Sequence, residues 1–120
     1  MKLLFTVFLV LHALTELMAA ATLIGGPQGI SAPGLGEQWS MHYGFAALAL
    51  ASASFWVWPH RGNRAAVTPV LGVLMVFHVG LLVSLATAGD QQAGMVIHAV
   101  LALLAIALFS LRSKWCDQPA

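Results

Sequence analysis

The chain has 120 residues, of which 60% are apolar and 8% are charged, and its formal net charge at pH 7 is +1. Soluble domains carry about 25% charged residues, so this composition is typical of a membrane protein. The small net charge argues against nucleic-acid binding. A single cysteine cannot form the intrachain disulfides that stabilise small secreted domains. At about 20 residues for each membrane span, the apolar residues would fill about three and a half spans, which leaves room for four helices and no separate soluble domain.

Four long apolar runs follow one another along the chain. Each is close to the roughly 20 residues that a helix needs to cross a bilayer. The runs are too long and too uniformly apolar for the alternating strands of a membrane barrel. We therefore predict an all-α fold, an integral membrane four-helix bundle that forms one domain over residues 1–120. The predicted spans lie near residues 3–24, 39–58, 67–88 and 93–111.

Turn-forming residues separate the four runs. Glycines and prolines break the first connection, over residues 25–36, and the second connection is a short polar turn. After this turn, Thr68 and Pro69 are predicted to be the N-cap and the first residue of the third helix. In the last connection, Gly89 is predicted to end the third helix. The carboxylate of Asp90 is predicted to accept hydrogen bonds from the free N–H groups at the start of the fourth helix.

All lysines and arginines fall on one side of the membrane if the chain crosses it four times. By the positive-inside rule, both termini are then cytoplasmic and the first connection faces outward. We expect the protein to lie in a bacterial inner membrane. The tryptophans fall near the predicted membrane boundaries, as in an aromatic belt. The basic residues are Lys2, Arg61, Arg64, Arg112 and Lys114.

The start of the chain also has the features of a cleavable signal peptide. These are the charge of Lys2, an apolar core and three small residues at 19–21. The polar residues inside the run are unusual for a segment that is discarded. We therefore expect the first span to be permanent.

Glu16 is the one charged residue that falls deep within a predicted span. A carboxylate there costs a few kcal/mol, so it is kept only where something compensates for it. It therefore marks a candidate functional site. His12 lies four residues earlier, so both side chains project from one face of the first helix.

Each of the other three spans carries one histidine. A lone histidine in a membrane helix is most often a neutral imidazole that hydrogen-bonds to a neighbouring helix. Several histidines in the outer and middle parts of the bilayer, together with an acid, instead favour one shared polar pocket. His42 and Tyr43 would line the rim of this pocket, whereas His60 falls in the polar turn outside it. The histidines of these spans are His42, His78 and His98, in chain order.

This pattern is typical of acid–base catalysis on a lipophilic substrate, because carboxyl and imidazole groups are common proton donors and acceptors of enzymes. We therefore predict an isomerase-type enzyme that needs no cofactor. Glu16 and His12 would transfer protons. His78 and His98 would orient the substrate or act as a second acid and base. The expected partners are the membrane and a lipophilic small molecule or lipid.

The spacing of His12 and Glu16, in the sequence His-Ala-Leu-Thr-Glu, resembles the histidine and glutamate of the EXPERA-type sterol isomerases. Those enzymes are small helical bundles that shift a double bond by proton transfer. The resemblance covers these two residues alone. The later acidic, asparagine and tryptophan elements of that family have no recognisable counterpart in this chain. The resemblance implies that a membrane His/Glu pair can perform such chemistry, and the family's activity is not carried over.

Two other classes of function fit the same residues. The first is a cytochrome b-like redox protein that binds haem b or a transition metal ion, although the outer side lacks the cations that haem propionates favour. The second is a proton-coupled transporter, since one glutamate in the first of four spans resembles the small multidrug exporters. Such a transporter would work as a homodimer. The histidines available to haem or metal are His12, His42, His78 and His98.

Overall fold

The computed structural model describes residues 1–25, 37–89 and 91–117. These residues form four α-helices and no β-strand, which confirms the predicted all-α fold class. Short 3₁₀ helices follow the second and the fourth of them. The α-helices are α1 (Lys2–Gly25), α2 (Glu37–Val57), α3 (Arg64–Ala88) and α4 (Gln92–Ser110), and the 3₁₀ helices are Trp58–His60 and Arg112–Lys114.

Three of these helices, α1, α3 and α4, are long and apolar enough to cross a membrane. Their lengths of 24, 25 and 19 residues match the roughly 20 residues that a bilayer core requires. α2 has 21 residues and is less uniformly apolar. The helices therefore indicate a membrane protein. The fourth span, the cytoplasmic termini and the bacterial inner membrane stay predictions.

The structure corrects the predicted start of α3. Asn63, not Thr68, is the N-cap, and its side-chain oxygen accepts hydrogen bonds from the N–H groups of Ala65 and Ala66 at 2.9 and 3.4 Å. Pro69 consequently lies inside the helix rather than at its first position. Asn63 is a strong capping residue, and no helix breaker separates it from Thr68, so the helix begins at the earlier cap.

The end of α3 is the one predicted. Gly89 is the C-cap, with a left-handed φ of 75°, and its N–H donates to the Leu85 carbonyl at 3.0 Å. Glycine adopts this conformation without steric cost. The N-cap of α4 is Gln91, whose side chain makes no capping hydrogen bond. Asp90, the predicted cap, and residues 26–36 of the first connection lie outside the described residues.

The chain divides into two compact units. We call Met1–Phe8 together with Val57–Ala120 the α3–α4 unit, and Leu9–Trp56 the α1–α2 unit. The boundary falls inside α1, so this helix contributes residues to both units. The prediction of a single domain over residues 1–120 stays a prediction.

In the α3–α4 unit, α3 and α4 pack antiparallel after a short connection. A Cβ atom on Gly72 would lie 3.7 Å from the Phe109 ring, and a Cβ on Gly94 would lie 3.4 Å from Leu85. The earlier residue of α3 thus contacts the later residue of α4, and the later residue of α3 contacts the earlier one, as in antiparallel helices. Glycines at such positions let helix backbones approach closely in membranes.

The first two turns of α1 belong to the same unit. Phe5 packs against Trp115, with ring centroids 5.1 Å apart, and Lys2 forms an ion pair with Asp117. The Trp115 indole donates a hydrogen bond to the Leu108 carbonyl at 3.2 Å. These contacts make the start of α1 part of the packing of this unit.

In the α1–α2 unit, α2 approaches α1 closely at Gly44. A Cβ there would lie 2.7 Å from Cγ1 of Ile24 and 3.1 Å from Cβ of Leu23, so a larger residue would force a shift. Ala47 and Ala51 follow Gly44 on the same face of α2, and both are fully buried. This stripe of small residues brings the backbone of α2 within reach of side chains on α1.

Candidate functional site

His12 and Glu16 lie on the buried face of α1, and the exposed fraction of each is 0%. Because they are four residues apart in a helix of 3.6 residues per turn, their side chains stand one above the other. We call these two residues the α1 set. Both belong to the α1–α2 unit.

His12 is held by the backbone of α2. Its Nε2 donates a hydrogen bond to the Leu50 carbonyl at 3.0 Å. A carbonyl only accepts hydrogen bonds, so Nε2 carries the hydrogen and, in the neutral ring, Nδ1 carries the lone pair. The contact therefore sets both the tautomer and the orientation of the imidazole. Sequence reasoning could not find this partner, because every residue has a backbone carbonyl.

Glu16 is not satisfied in the same way. Neither of its carboxyl oxygens has a hydrogen-bond partner within the described residues. Most buried polar groups have a partner, and an unpaired one costs about 1 to 3 kcal/mol. A polar group that is kept in a membrane helix at this cost is a candidate for function rather than for stability.

Ser54 on α2 is a further buried polar residue, which sequence analysis missed. Its exposed fraction is 2%, and its hydroxyl has no hydrogen-bond partner in the described part of the chain. Ser52, two residues earlier, instead donates to the Ala49 carbonyl at 2.6 Å. The two serines alternate with alanines, so the sequence pattern does not indicate which of the two is buried. Burial alone marks Ser54 as a candidate donor to a bound molecule.

His78 on α3 and His98 on α4 are hydrogen-bonded to each other. Their Nδ1 atoms lie 2.9 Å apart, and the ring centroids are separated by 5.2 Å. The exposed fractions of the two residues are 0% and 7%. One Nδ1 must donate and the other must accept, so a single hydrogen is shared between the two nitrogens. We call His78 and His98 the imidazole pair.

Aromatic rings of the same unit surround the imidazole pair. The Phe8 ring meets His78 edge-on, with centroids 6.2 Å apart. The Phe77 ring lies 5.1 Å from His78 and 6.1 Å from His98. These contacts orient the imidazoles and surround them with apolar groups. In such low-dielectric surroundings a hydrogen bond is electrostatically stronger than in water.

The two predicted rim residues are less buried than the α1 set and the imidazole pair. His42 is exposed and Tyr43 is half-buried, both near the start of α2. His60 is exposed in the 3₁₀ helix after α2, as its position in a polar turn predicts. The structure thus places the α1 set in one unit and the imidazole pair in the other. Their convergence on one pocket, and the role of His42 and Tyr43 at its rim, stay predictions.

The buried histidine and glutamate side chains include a group that could hold a metal ion. Imidazole and carboxylate are ligands that zinc, iron and copper accept in proteins. The chemistry of these donors is therefore compatible with the predicted alternative of a transition metal.

No protein-family model, curated protein or solved structure matches this chain. Its function is therefore inferred from the side chains themselves.

Proposed function

We propose that the protein is a membrane-embedded enzyme that moves a proton between two positions of a lipophilic substrate. The observation that carries this proposal is the 2.9 Å contact between the Nδ1 atoms of His78 and His98, both buried among aromatic rings. In two neutral imidazoles joined in this way, the remaining ring nitrogens are in opposite protonation states. One Nε2 can accept a proton while the other can donate one.

The proton balance of the imidazole pair suits an isomerisation. The basic Nε2 takes a proton from a carbon of the substrate, and the same ring passes its Nδ1 hydrogen to the second ring. The second ring then gives its Nε2 hydrogen to another carbon of the substrate. The two tautomers are exchanged, and the pair gains no proton overall. Loss of a proton to water from one Nε2 and uptake of a proton from water at the other restore the starting tautomers before the next turnover. The electron pair of the broken C–H bond forms the shifted double bond, so the step needs no oxidant or reductant.

Glu16 and His12 supply a second acid and base in this proposal. The Glu16 carboxyl group, without a hydrogen-bond partner in the described chain, is available to a hydroxyl or carbonyl group of a substrate. The Leu50 carbonyl holds His12 in one tautomer, so its Nδ1 has a defined role as the basic nitrogen. The α1 set would thereby offer binding groups to a polar substrate, whereas the proton relay itself needs only the imidazole pair.

The surroundings of these groups indicate the class of substrate. α1, α3 and α4 are apolar enough to lie in a membrane, so a molecule that reaches their buried side chains comes from the lipid phase. Removal of a proton from carbon by imidazole requires an acidified C–H bond, next to a carbonyl or a double bond. We therefore propose a lipid or lipophilic small molecule with one polar group and an allylic or α-carbonyl hydrogen.

The proposal is tested by the transfer of deuterium from solvent to substrate. Protein in nanodiscs that contain bacterial lipid extract and a β,γ-unsaturated isoprenoid ketone is incubated in D₂O, and the lipids are analysed by mass spectrometry. The relay donates a solvent-derived proton, so we expect the shifted product to carry one deuterium. We expect His78→Gln and His98→Gln to slow this reaction about 100-fold or more, the usual cost of losing a general acid or base.

His60→Gln is the matched control, because His60 is exposed outside the buried sets. This variant should keep the wild-type rate. A lipid fraction with no more deuterium than empty nanodiscs, or a product that keeps its own proton, would contradict the relay.

A metal-dependent redox protein is the second candidate, favoured by the buried imidazole and carboxylate groups. The visible spectrum and metal content of the protein purified in detergent separate the two candidates. A Soret band that shifts on reduction with dithionite, or a metal ion retained in equal amount with the protein, would favour the redox protein.

A further inference from the structure

A cluster of cations lies at the end of the α3–α4 unit where α3 begins and α4 ends. All the lysines and arginines of the chain belong to this unit, and among its described residues Asp117 is the only carboxylate. The unit therefore has a strong excess of positive charge at one end. The cations are Lys2, Arg61, Arg64, Arg112 and Lys114.

Asp117 already has its partners within this cluster. Its carboxylate forms an ion pair with Lys2, and its backbone N–H donates to the Gly62 carbonyl at 2.8 Å. A Cβ on Gly62 would lie 2.9 Å from Oδ2 of Asp117, so the carboxylate is packed against this turn. The remaining cations of the described chain have no ion pair with a carboxylate.

The two arginines at the helix ends each have an unused donor. The Nε atoms of Arg64 and Arg112 are shielded from solvent and have no hydrogen-bond partner among the described residues. The Arg112 guanidinium lies 4.0 Å above the Phe109 ring and donates to the Phe109 carbonyl at 2.6 Å. Arg112 is thus held in place with its Nε free to donate, and such unpaired donors are costly unless an acceptor is supplied.

Both guanidinium groups act on one thiol. Burial raises the pKa of Cys116, and the charges of Arg64 and Arg112 act in the opposite direction. Cys116 also donates its backbone N–H to the Arg112 carbonyl at 3.0 Å. The hydrogen bond from the Asp117 N–H to the Gly62 carbonyl holds this segment against the turn before α3, so the segments that carry Arg64 and Arg112 lie side by side.

We propose that Arg64 and Arg112 together bind the phosphate group of an anionic phospholipid. A guanidinium group presents parallel N–H donors that match two phosphate oxygens, and neither arginine forms an ion pair with a carboxylate of the described chain. Arg64 is the first residue of α3, and Arg112 follows the end of α4, so in a membrane crossed by these two helices both would lie near the lipid head groups. Basic sites at the cytoplasmic ends of membrane helices commonly take anionic lipids.

Native mass spectrometry of the full-length protein in detergent tests this site, with the anionic lipid POPG and the zwitterionic lipid POPC as probes. We expect the wild-type protein to bind POPG more tightly than POPC. The double variant Arg64→Gln/Arg112→Gln should weaken POPG binding about 50-fold, because it removes charge-assisted hydrogen bonds.

The matched control is Arg61→Gln/Lys114→Gln, which removes the same charge from the same end. Both control residues are exposed, and the Arg61 guanidinium lies over the Trp58 ring. We expect this variant to weaken POPG binding by no more than about fivefold, because exposed charges contribute little. Equal losses in the two double variants would overturn the proposal, since general surface charge would then explain the binding.

Two further measurements complete the test. Arg64→Lys/Arg112→Lys keeps the charge but loses the forked donors, so POPG binding should fall between those of the wild type and the glutamine variant. This variant carries the test if the glutamine variant does not fold. Inorganic phosphate should not displace POPG from the wild-type protein. Displacement by inorganic phosphate would overturn the assignment to a lipid.

Discussion

The α1 set and the imidazole pair are both buried polar groups in apolar helices, but their hydrogen bonding differs. His78 and His98 satisfy each other across α3 and α4, with a 2.9 Å contact between ring nitrogens. In the α1 set, His12 is satisfied by a backbone carbonyl, whereas Glu16 has no hydrogen-bond partner within the described chain. The hydrogen bond of the imidazole pair can therefore stabilise the fold, whereas Glu16 makes no such contact among the described residues.

This difference separates two reasons for placing polar residues in a membrane helix. The burial of a paired imidazole is partly offset by its hydrogen bond to a neighbouring helix, which contributes about 0.6 kcal/mol in membranes. The burial of an unpaired carboxyl group is not offset until a ligand, a proton donor or water forms a hydrogen bond with it. The presence of Glu16 thus supports a functional role more strongly than the presence of either histidine of the pair does.

The largest expected effect concerns the reaction. If the α1 set takes part in it, Glu16→Gln should slow deuterium transfer by about 100-fold or more, as loss of a general acid or base does. The initial rate of deuterium incorporation in nanodiscs measures this effect. A rate equal to that of the wild type would mean that the imidazole pair acts without Glu16.

Stability should change in opposite directions in the two sets. Glu16→Met removes an unpaired polar group and should stabilise the protein by about 1 to 3 kcal/mol, while His98→Leu leaves its partner nitrogen unpaired and should cost a similar amount. Unfolding in mixed micelles with increasing SDS measures both changes. If Glu16→Met proved destabilising, the carboxyl group would have a structural contact and the contrast would fail.

Helix packing should also differ between the two units. Gly44→Ala places a Cβ 2.7 Å from Ile24, whereas the Cβ of Gly72→Ala meets Phe109 at 3.7 Å, an ordinary contact. We expect Gly44→Ala to destabilise by about 1 kcal/mol through overpacking. We expect Gly72→Ala to stabilise by about 0.5 kcal/mol through helix propensity. Equal shifts in the same unfolding assay would show that α2 can move away from α1 at little cost.

The smallest effect concerns the anchor of His12. His12→Leu removes one hydrogen bond to the Leu50 carbonyl, and we expect a loss of about 0.6 kcal/mol, typical of contacts between membrane helices. The Leu50 carbonyl oxygen can still accept a hydrogen bond from the α2 backbone, so the substitution does not leave this oxygen without a partner. A loss several times larger would mean that His12 holds α1 against α2 and is not mainly a functional group.

Part of the candidate site could be predicted from the sequence. Glu16 and His12 stand out because charged and imidazole groups are rare in apolar runs, and a spacing of four places them on one face. The pairing of His78 with His98 could not be predicted. It depends on the register of α3 against α4, and one histidine in each span allows several pairings.

Ser54 was missed for a related reason. Lipid-facing and protein-facing positions of a membrane helix are both apolar, so the sequence pattern does not reveal which face is buried. Ser54 is buried and Ser52 is not, although the two occupy equivalent places in an alternating run.

The sequence by itself determined the class of the protein, the approximate lengths of its helices and the glycine that ends α3. These properties depend on local composition and on backbone preferences within a few residues. Only the tertiary structure decided that Asn63 caps α3, which carbonyl holds His12, which imidazoles share a hydrogen and which carboxyl group has no partner in the described part of the chain. The physical reason is that such contacts are set by the rotation and register of packed helices, which a uniformly apolar sequence hardly constrains.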